Sequence, residues 1–400
     1  MIKYCTKCLL PETKPDLHID ENGVCYACRS FLERKDVDWT VRKEELMTLL
    51  NKYRSKDGSN YDCIIPVSGG KDSFYQVIKM LEYGMKPLCV NASTDQLSEL
   101  GRKNLTNIRK LGVDVVEYCS NPVVRRKINR VTLKQVGDIA WPEHVTIFTI
   151  PVRLAVQFNI PLLIWGENSQ NEYGGPAADA KKNYLDRRWL EEYGGLLGMR
   201  VSDLIEQEGF SAQDMLPFTY PDDESLKRVG VTGLFLGHYI PWDGYTNALV
   251  AQGYGFETYH KTVEGSVVNY ENLDNCHMGI HDYFKFLKFG FGRGTDLASL
   301  HIRRGRLTRE EGLKLVKMHD GKFPWEYLGM PLEKTLNEID MSVEDFVKIC
   351  DKFTNKRLFI CDAKGNLVKD RHGNLTKVNY DNIEQSNSAA NNDAQKVITS

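Results

Sequence analysis

The 400-residue sequence has no apolar run that approaches the roughly 18 residues of a membrane-spanning helix. Its first five residues, Met1 to Cys5, lack the apolar core of a secretory signal peptide. We therefore expect a cytoplasmic protein that does not engage a membrane. Neither sign of charge dominates, because 52 Lys and Arg residues stand against 54 Asp and Glu residues. This balance argues against a protein that coats nucleic acid over its whole surface, although it permits a local basic patch.

The composition also lacks the bias of a fibrous or low-complexity chain. The sequence contains 32 Gly and 14 Pro residues, is 42% hydrophobic and 26% charged, and shows no internal repeat that we can identify. These values are typical of a globular protein that buries a sizeable core. Ten cysteines are present. Four of them form two CxxC pairs near the N-terminus and others lie in or beside apolar runs, which indicates metal ligands and core thiols rather than disulfides.

Strand and helix signals alternate through the middle of the chain. Short apolar runs predict strands, and apolar residues at helical spacing predict the helices between them. This order predicts right-handed crossovers and a doubly wound parallel α/β sheet. The predicted strands are 63–67, 87–90, 113–118, 162–165 and 234–236, and the predicted helices between 70 and 160 are centred on 74–81, 97–111 and 147–158.

Four regions are predicted along the chain. Residues 1–40 form a four-cysteine module, 41–260 an α/β domain, 261–380 a helical C-terminal extension that binds substrate, and 381–400 a disordered tail whose composition changes at Glu384. We also expect helices at 43–53, 186–196, 201–206 and 343–353. Turns at 364–366 and 372–374 predict a hairpin-like C-terminal stretch.

The spacing Cys5-x2-Cys8-x16-Cys25-x2-Cys28 is that of a four-thiolate zinc site. Each CxxC pair can present two sulfurs to one tetrahedral ion. Because four thiolates leave no open coordination position, the predicted Zn²⁺ is structural rather than catalytic. The alternative is four reduced cysteines that bind nothing.

A glycine-rich loop joins the first strand to its helix. Its residues are Val67, Ser68, Gly69, Gly70, Lys71, Asp72 and Ser73. Consecutive glycines let the backbone approach a ligand closely, and the helix N-terminus favours an anion, so the loop predicts a phosphate cradle. It is not a GxxxxGK[ST] Walker loop, and a capped Gly-Gly turn is the structural alternative.

Polar residues follow two other predicted strands. Asn91 and Ser93 come after the second strand, and Gly166 and Glu167 precede Asn168 after a later one. Open α/β sheets bind ligands at the carboxyl ends of their strands. We therefore place these residues beside the same ligand as the loop, unless they form ordinary strand-ending turns.

A basic and aromatic run covers residues 275–312. It combines Lys and Arg with Phe, Tyr and Gly, which suits an anionic ligand. We expect Lys288, Arg293, Arg303 and Arg304 to bind the anionic substrate or pyrophosphate. Arg293→Lys should therefore lower activity strongly, whereas Arg306→Lys should be nearly silent. A helix with a solvated basic face is the alternative, although Gly290, Gly292 and Gly294 should disrupt it.

The loop sequence SGGKDS resembles the PP-loop of ATP pyrophosphatases. This resemblance implies an enzyme that cleaves ATP to AMP and pyrophosphate while it adenylates a carbonyl oxygen. It further implies that 67–73 hold ATP, with Mg²⁺ bridging the pyrophosphate oxygens through Asp72. We assign catalytic roles to Lys71, Asp72 and Arg293.

The cysteine pairs, the SGGKDS loop and the HDYFKFLKFGFGRGTD…IRRGRLTREEG run occur in this order. Together they look like the bacterial N-acetyl-sugar amidotransferases of surface-glycan biosynthesis, over residues up to about 330. The resemblance implies that an acetamido group of a nucleotide-linked sugar becomes an acetamidino group, with ammonia displacing AMP. It also implies a separate glutaminase and cyclase-like pair that supplies the ammonia.

Two alternatives remain. A PP-loop enzyme that thiolates tRNA would need sulfur-relay cysteines, for which Cys276 is available, and a basic surface, for which 125–130 offers a cluster. However, no CxxC pair is close to the loop in sequence, and we regard nucleic acid as an unlikely partner. A nucleotide sensor without turnover would be favoured by a broken loop, but 68–73 is intact.

Overall fold

The computed structural model describes residues 2–167, 184–185 and 198–378, and its centre is a six-stranded sheet with the order β3-β2-β1-β4-β6-β5. Five strands are parallel, and β5 pairs antiparallel with β6 at the edge. The strands are β1 (Cys63–Pro66), β2 (Pro87–Ala92), β3 (Asp114–Tyr118), β4 (Leu162–Trp165), β5 (Tyr184–Leu185) and β6 (Thr232–Phe235). The predicted doubly wound α/β fold is confirmed.

Both faces of the sheet are buried, which explains why its strands are continuous apolar runs rather than alternating ones. Cys63 and Ile65 point into one core cluster, whereas the intervening Ile64 points into another with Leu163. The first cluster includes Phe74 of the helix after β1. Helices therefore cover both faces.

Two helices of the sheet region begin at side chains that cap them. Ser98 accepts a hydrogen bond from the Gly101 amide, and Asn121 does the same for Val123, followed by Pro122 at the first helical position. Among the described residues, no helix has the length and apolar content needed to cross a membrane. These helices are α1 (Tyr26–Glu33), α2 (Trp39–Tyr53), α3 (Lys71–Glu82), α4 (Glu99–Arg109), α5 (Pro122–Val136), α6 (Trp141–Phe158), α7 (Val201–Glu208), α8 (Asp223–Val229) and α9 (Gly244–Gln252).

A second group of helices follows the sheet. Its core is separate and contains aromatic residues such as Phe284, Phe346 and Phe359. The elements are α10 (Met278–Phe289), α11 (Arg293–Arg303), α12 (Arg309–His319), the strands β7 (Glu326–Tyr327) and β8 (Met330–Pro331), α13 (Leu332–Asn337) and α14 (Val343–Phe353).

The N-terminal cysteine module packs on this second group of helices. The Leu9 amide donates to Ser299 Oγ at 3.2 Å, and Arg309 Nε donates to the Cys8 carbonyl at 3.0 Å. Leu9 is buried with Ala298 and Leu313. Apolar contacts and hydrogen bonds thus hold the cysteine module against α11 and α12.

The chain contains a short internal repeat, contrary to the expectation from sequence. Residues 362–369 (DAKGNLVK) and 370–377 (DRHGNLTK) form two similar loops. In each, the Asp carboxylate accepts backbone N–H groups two and four residues later, and the Gly has a positive φ. The eight-residue period is too short for the repeat families that a sequence search first considers.

Other expectations differ in detail. Helix α5 was not predicted from the sequence. The glycines of the basic run cause one break between helices: Gly290 ends α10, whereas Gly294 lies inside α11. The helices near 43–53, 201–206 and 343–353 are present. The predicted helix 186–196, Asn168 and the tail after Glu384 lie outside the described residues.

Candidate functional site

The glycine-rich loop lies where the sheet order reverses direction. The chain runs outward from β1 to β3 on one side and resumes at β4 on the other, so a crevice opens at the carboxyl ends of β1 and β4. Within the loop, the Ser68 amide donates to Ser73 Oγ at 3.0 Å, and the Gly70 amide donates to Ser68 Oγ at 3.3 Å. The first turn of α3 begins at Lys71. Loop and helix N-terminus therefore form one rigid unit.

Gly69 is the residue of this loop that must be glycine. Its φ is +91°, and a Cβ there would lie 2.9 Å from the Leu105 amide nitrogen and 3.1 Å from the Gly101 carbonyl oxygen of α4. Gly70 has an ordinary φ of −74° and would meet Ser68 Oγ at 3.3 Å. Close packing against α4 thus sets the path of the loop at Gly69.

A cavity of about 200 Å³ adjoins the loop. It is lined by predicted site residues from two strand ends, namely Val67, Ser68, Ser73, Asn91 and Ser93. Three buried lining atoms lack a hydrogen-bond partner among the described residues: Gln76 Oε1, Asn91 Oδ1 and Trp165 Nε1. Because buried polar atoms are normally paired, these three atoms are available to a polar ligand in the cavity.

An ion network links the loop to the C-terminal helices. Lys71 Nζ lies 2.6 Å from Asp72 Oδ2 and 2.7 Å from Glu271 Oε1, and Glu271 Oε2 lies 2.8 Å from the guanidinium of Arg293. Asn247 donates to Asp72 Oδ1 at 2.8 Å. Although burial alone would raise the pKa of Glu271, Lys71 and then Arg293 hold that pKa below its usual value. The structure thus brings all three predicted catalytic residues together through Glu271.

A second set of cations surrounds Asp243 beside Lys71. Arg306 forms a two-pronged pair with the Asp243 carboxylate at 2.6 and 3.0 Å, and Arg304 Nε lies 3.3 Å away from it. Burial opposes ionisation, but Arg306 lowers the pKa of Asp243 to about 2. Glu167 lines the same small cavity. Lysine cannot make this two-pronged contact. We therefore expect Arg306→Lys to lower activity more than the nearly silent effect predicted from the sequence.

Gly166 marks a close approach between strand ends. A Cβ there would lie 2.8 Å from both Gln76 Nε2 and the ring of Trp242. Its carbonyl accepts the Gly237 amide at 2.9 Å. Gly166 therefore shapes the crevice. Its role in ATP binding stays a prediction.

Two predicted substrate residues lie elsewhere. Lys288 Nζ donates to the carbonyls of Val136 and Gly137 at 2.7 and 2.9 Å, so it caps the C-terminal end of α5. Arg303 lies near Lys14 of the N-terminal module. Burial is the main cause that lowers the pKa of Lys14, and the charge of Arg303 lowers it further. Among the described residues, neither Lys288 nor Arg303 lines the two cavities that are lined by loop residues.

A buried carboxylate also lines the loop cavity. Glu143 of α6 lies 3.4 Å from both Arg125 Nε and His277 Nδ1, and Asn129 donates to it at 3.1 Å. Burial raises the pKa of a carboxyl, but Arg125 and His277 lower that of Glu143 to about 2. The basic cluster at 125–130 is therefore not an open surface at Arg125, which is 1% exposed.

The four predicted zinc ligands are close together and buried. Cys5 Sγ lies 3.9 Å from Cys28 Sγ, and Cys8 Sγ lies 3.7 Å from Cys25 Sγ. Four sulfurs around one zinc ion with bonds of about 2.3 Å lie roughly 3.8 Å apart, so the module fits tetrahedral zinc. Hydrogen bonding from Cys25 and Cys28 lowers the pKa of Cys5 well below its usual range.

Three comparisons with known proteins each match part of the chain. Residues 256–370 match the family model described as the C-terminal domain of WbpG-like LPS biosynthesis proteins. An uncharacterized protein of Methanocaldococcus jannaschii is 28% identical over 151 residues, which cover 34% of this chain and 53% of that protein. The chain thus spans about half the length of this curated relative. The structure of NMN synthetase from Francisella tularensis is similar with a TM-score of 0.27 and 16% identity, over 48% of this chain and 92% of that one.

The WbpG-like region supplies one side of the ion network. Glu271 and Arg293 both lie within residues 256–370, whereas Lys71 and Asp72 lie in the loop. Arg293 also lines a cavity of about 480 Å³, together with His319, Lys322, Trp325 and Tyr327. Arg293 thus stands between this cavity and the loop.

Sequence reasoning did not find Glu271, Asp243 or Glu143. None of them lies in a recognisable motif, and each acquires its role by pairing with cations from another element. Asn275, at the start of the basic run, also lines the loop cavity, although the sequence suggests no role for it.

Proposed function

We propose that this protein is an ATP-using enzyme of surface-glycan biosynthesis, and specifically an amidotransferase that converts the acetamido group of a nucleotide-linked N-acetyl sugar to an acetamidino group. The observation that carries the proposal is the Lys71–Glu271–Arg293 network. It joins a phosphate-binding loop to a region similar to a domain of LPS biosynthesis proteins. A cytoplasmic location would give access to ATP and to nucleotide sugars.

The loop residues would bind ATP. The backbone N–H group of Gly69 and the N-terminus of α3 would hold the β- and γ-phosphates, since both favour anions. The unpaired atoms of Gln76, Asn91 and Trp165 would accept or donate hydrogen bonds to the nucleoside. Mg²⁺ would neutralise charge on the leaving pyrophosphate, and Asp72 is the loop carboxylate that could hold it.

The chemistry requires activation of an amide oxygen. In the first step this oxygen attacks the α-phosphorus of ATP, the bond to pyrophosphate breaks, and the amide nitrogen loses its proton. In the second step ammonia adds to the imidate carbon and AMP leaves with the original oxygen. Lys71 lies in the loop, where its charge would stabilise the pyrophosphate as it departs.

The substrate brings its own negative charge. A nucleotide-linked sugar carries two phosphates, which would meet the triphosphate of ATP in the same crevice. Arg293, with its forked guanidinium, Arg304 and Arg306 are cations that lie near Lys71 in the structure. We infer that the 480 Å³ cavity beside Arg293 holds part of the nucleotide sugar, with Trp325 available for stacking.

Two partner hypotheses accompany this proposal. A separate glutaminase and cyclase-like pair would supply ammonia. The tRNA-thiolating alternative requires a reactive cysteine, but burial raises the pKa of Cys276 to about 11 and only 3% of the residue is exposed. A thiol in that state is a poor sulfur carrier, which argues against Cys276 in this role.

The test is AMP formation with defined acceptors. Purified protein, ATP, Mg²⁺ and ammonium are incubated with nucleotide-linked N-acetyl sugars, or with tRNA and a sulfur donor. We expect AMP and a sugar product containing nitrogen-15 from labelled ammonium. AMP formation only with tRNA would establish the alternative function instead.

A further inference from the structure

A second cluster of potential metal ligands lies apart from the cysteine module. Asp138, His144 and His281 each offer a ligand atom, and these atoms lie within 4.8 Å of one another. From these residues we propose a binding site for a divalent first-row transition metal such as zinc. The inference is independent of the proposed reaction.

The three residues come from three rigid positions. Asp138 lies between α5 and α6 and accepts the Ala140 amide at 2.9 Å, so its carboxylate is fixed. His144 is in the first turn of α6, and His281 is in the first turn of α10. Preorganised ligands of this kind lower the ordering cost of binding an ion.

Only one of the two histidine contacts to Asp138 is a direct hydrogen bond. His281 Nδ1 lies 2.9 Å from Asp138 Oδ1, but His144 Nδ1 lies 3.8 Å from Asp138 Oδ2, which is too long for a hydrogen bond. Ligand atoms that share an ion with bonds of about 2.1 Å lie roughly 3–3.5 Å apart. The two observed distances bracket that value, and the imidazole rings meet edge to face at 4.7 Å.

Two imidazoles and one carboxylate are a donor set suited to zinc, manganese, iron or cobalt. Asp138 is buried, whereas the His144 and His281 side chains are 25% and 26% exposed. The cluster is therefore open on one side, where an ion can enter and water can complete its coordination. In the four-cysteine module, by contrast, all four ligand residues are buried.

Zinc binding tests the proposal. We would dialyse the full-length protein against micromolar Zn²⁺ and measure metal per chain, for the wild type, His144→Gln and His281→Gln. Zinc is a sufficient probe, because sites of this kind bind it more tightly than manganese or ferrous iron. His260→Gln removes an exposed histidine outside the cluster and is the matched control.

We expect the wild type and His260→Gln to hold one more zinc ion than the two cluster variants, whose affinity at this site should fall roughly 100-fold. Zinc at the cysteine module contributes equally to all four proteins, so it does not affect the difference. His144→Gln should fold normally, since His144 makes no direct hydrogen bond to Asp138, and circular dichroism checks this. Equal zinc content in the wild type and in a folded His144→Gln protein would overturn the proposal and leave a His281–Asp138 ion pair.

Discussion

Gly69 and Gly112 both have positive φ angles, +91° and +85°, but only Gly69 is packed against another helix. We expect Gly69→Ala to abolish ATP binding, because the new Cβ would push the loop away from α4. Gly112→Ala meets nothing within 4 Å and should cost only about 1–2 kcal/mol of stability, with normal ATP affinity. Calorimetric titration with ATP compares the two. Normal affinity in Gly69→Ala would place the nucleotide elsewhere.

Glu271 is the common partner of two cations, the buried Lys71 and the half-buried Arg293. Glu271→Gln removes its charge, so Lys71 and Arg293 would repel each other, and we expect a loss of roughly 3–5 kcal/mol of stability together with most activity. Glu257→Gln breaks the exposed pair with Lys103 and should cost about 1 kcal/mol or less. Urea unfolding and AMP release measure both effects. Similar stability losses in the two variants would contradict the role given to Glu271.

At the scale of elements, Glu143 joins α5 and α6 through Arg125. Its pKa of about 2 lies below the ordinary value of 4.5, so its contribution to stability is complete above about pH 4.5 and disappears as the pH falls toward 2. The contribution is on the order of 3 kcal/mol. Glu143→Gln should therefore be much less stable than the wild type at pH 6, and the gap should narrow at pH 3. A gap that stays constant with pH would show that Glu143 is not ionised when buried.

The cysteine module supports α11 and α12. Cys25→Ser removes one of four sulfurs, and we expect loss of zinc and a lower melting temperature, without a direct loss of ATP affinity in protein that still folds. Metal analysis and thermal unfolding measure the change. Wild-type protein that contains no zinc when purified without chelator would refute the zinc assignment.

The elements that were predictable are those whose pattern is local. Strands β1 and β4 are apolar on both faces, so they stand out as short runs, and the loop between β1 and α3 has a complete motif. Helix α5 was missed although Asn121 and Pro122 signal its start, because its sequence was interpreted as a basic cluster. Strand β5 has only two residues and is defined by its pairing with β6.

At the scale of the whole molecule, the candidate site depends on contacts between distant parts of the sequence. Lys71 and Arg293 were each predicted from their own motif, but Glu271, which joins them, has no local signal. The same holds for Lys288, whose sequence context suggests an anionic ligand while its amine caps α5. Which cation faces the loop is decided by tertiary packing, which a single sequence does not specify.

The C-terminal helices and the N-terminal module together hold Arg293 in position. Arg293 begins α11, and Ser299 of the same helix accepts the Leu9 amide of the cysteine module. If the proposed function is correct, this assembly presents an acetamido oxygen to the α-phosphorus of ATP.

The most direct test uses a nucleotide-linked N-acetyl sugar with oxygen-18 in its acetamido carbonyl. The account predicts that the labelled oxygen appears in the phosphate of AMP, in step with nitrogen-15 from ammonium appearing in the sugar. AMP without the label, or label retained in the sugar product, would contradict adenylation of the amide.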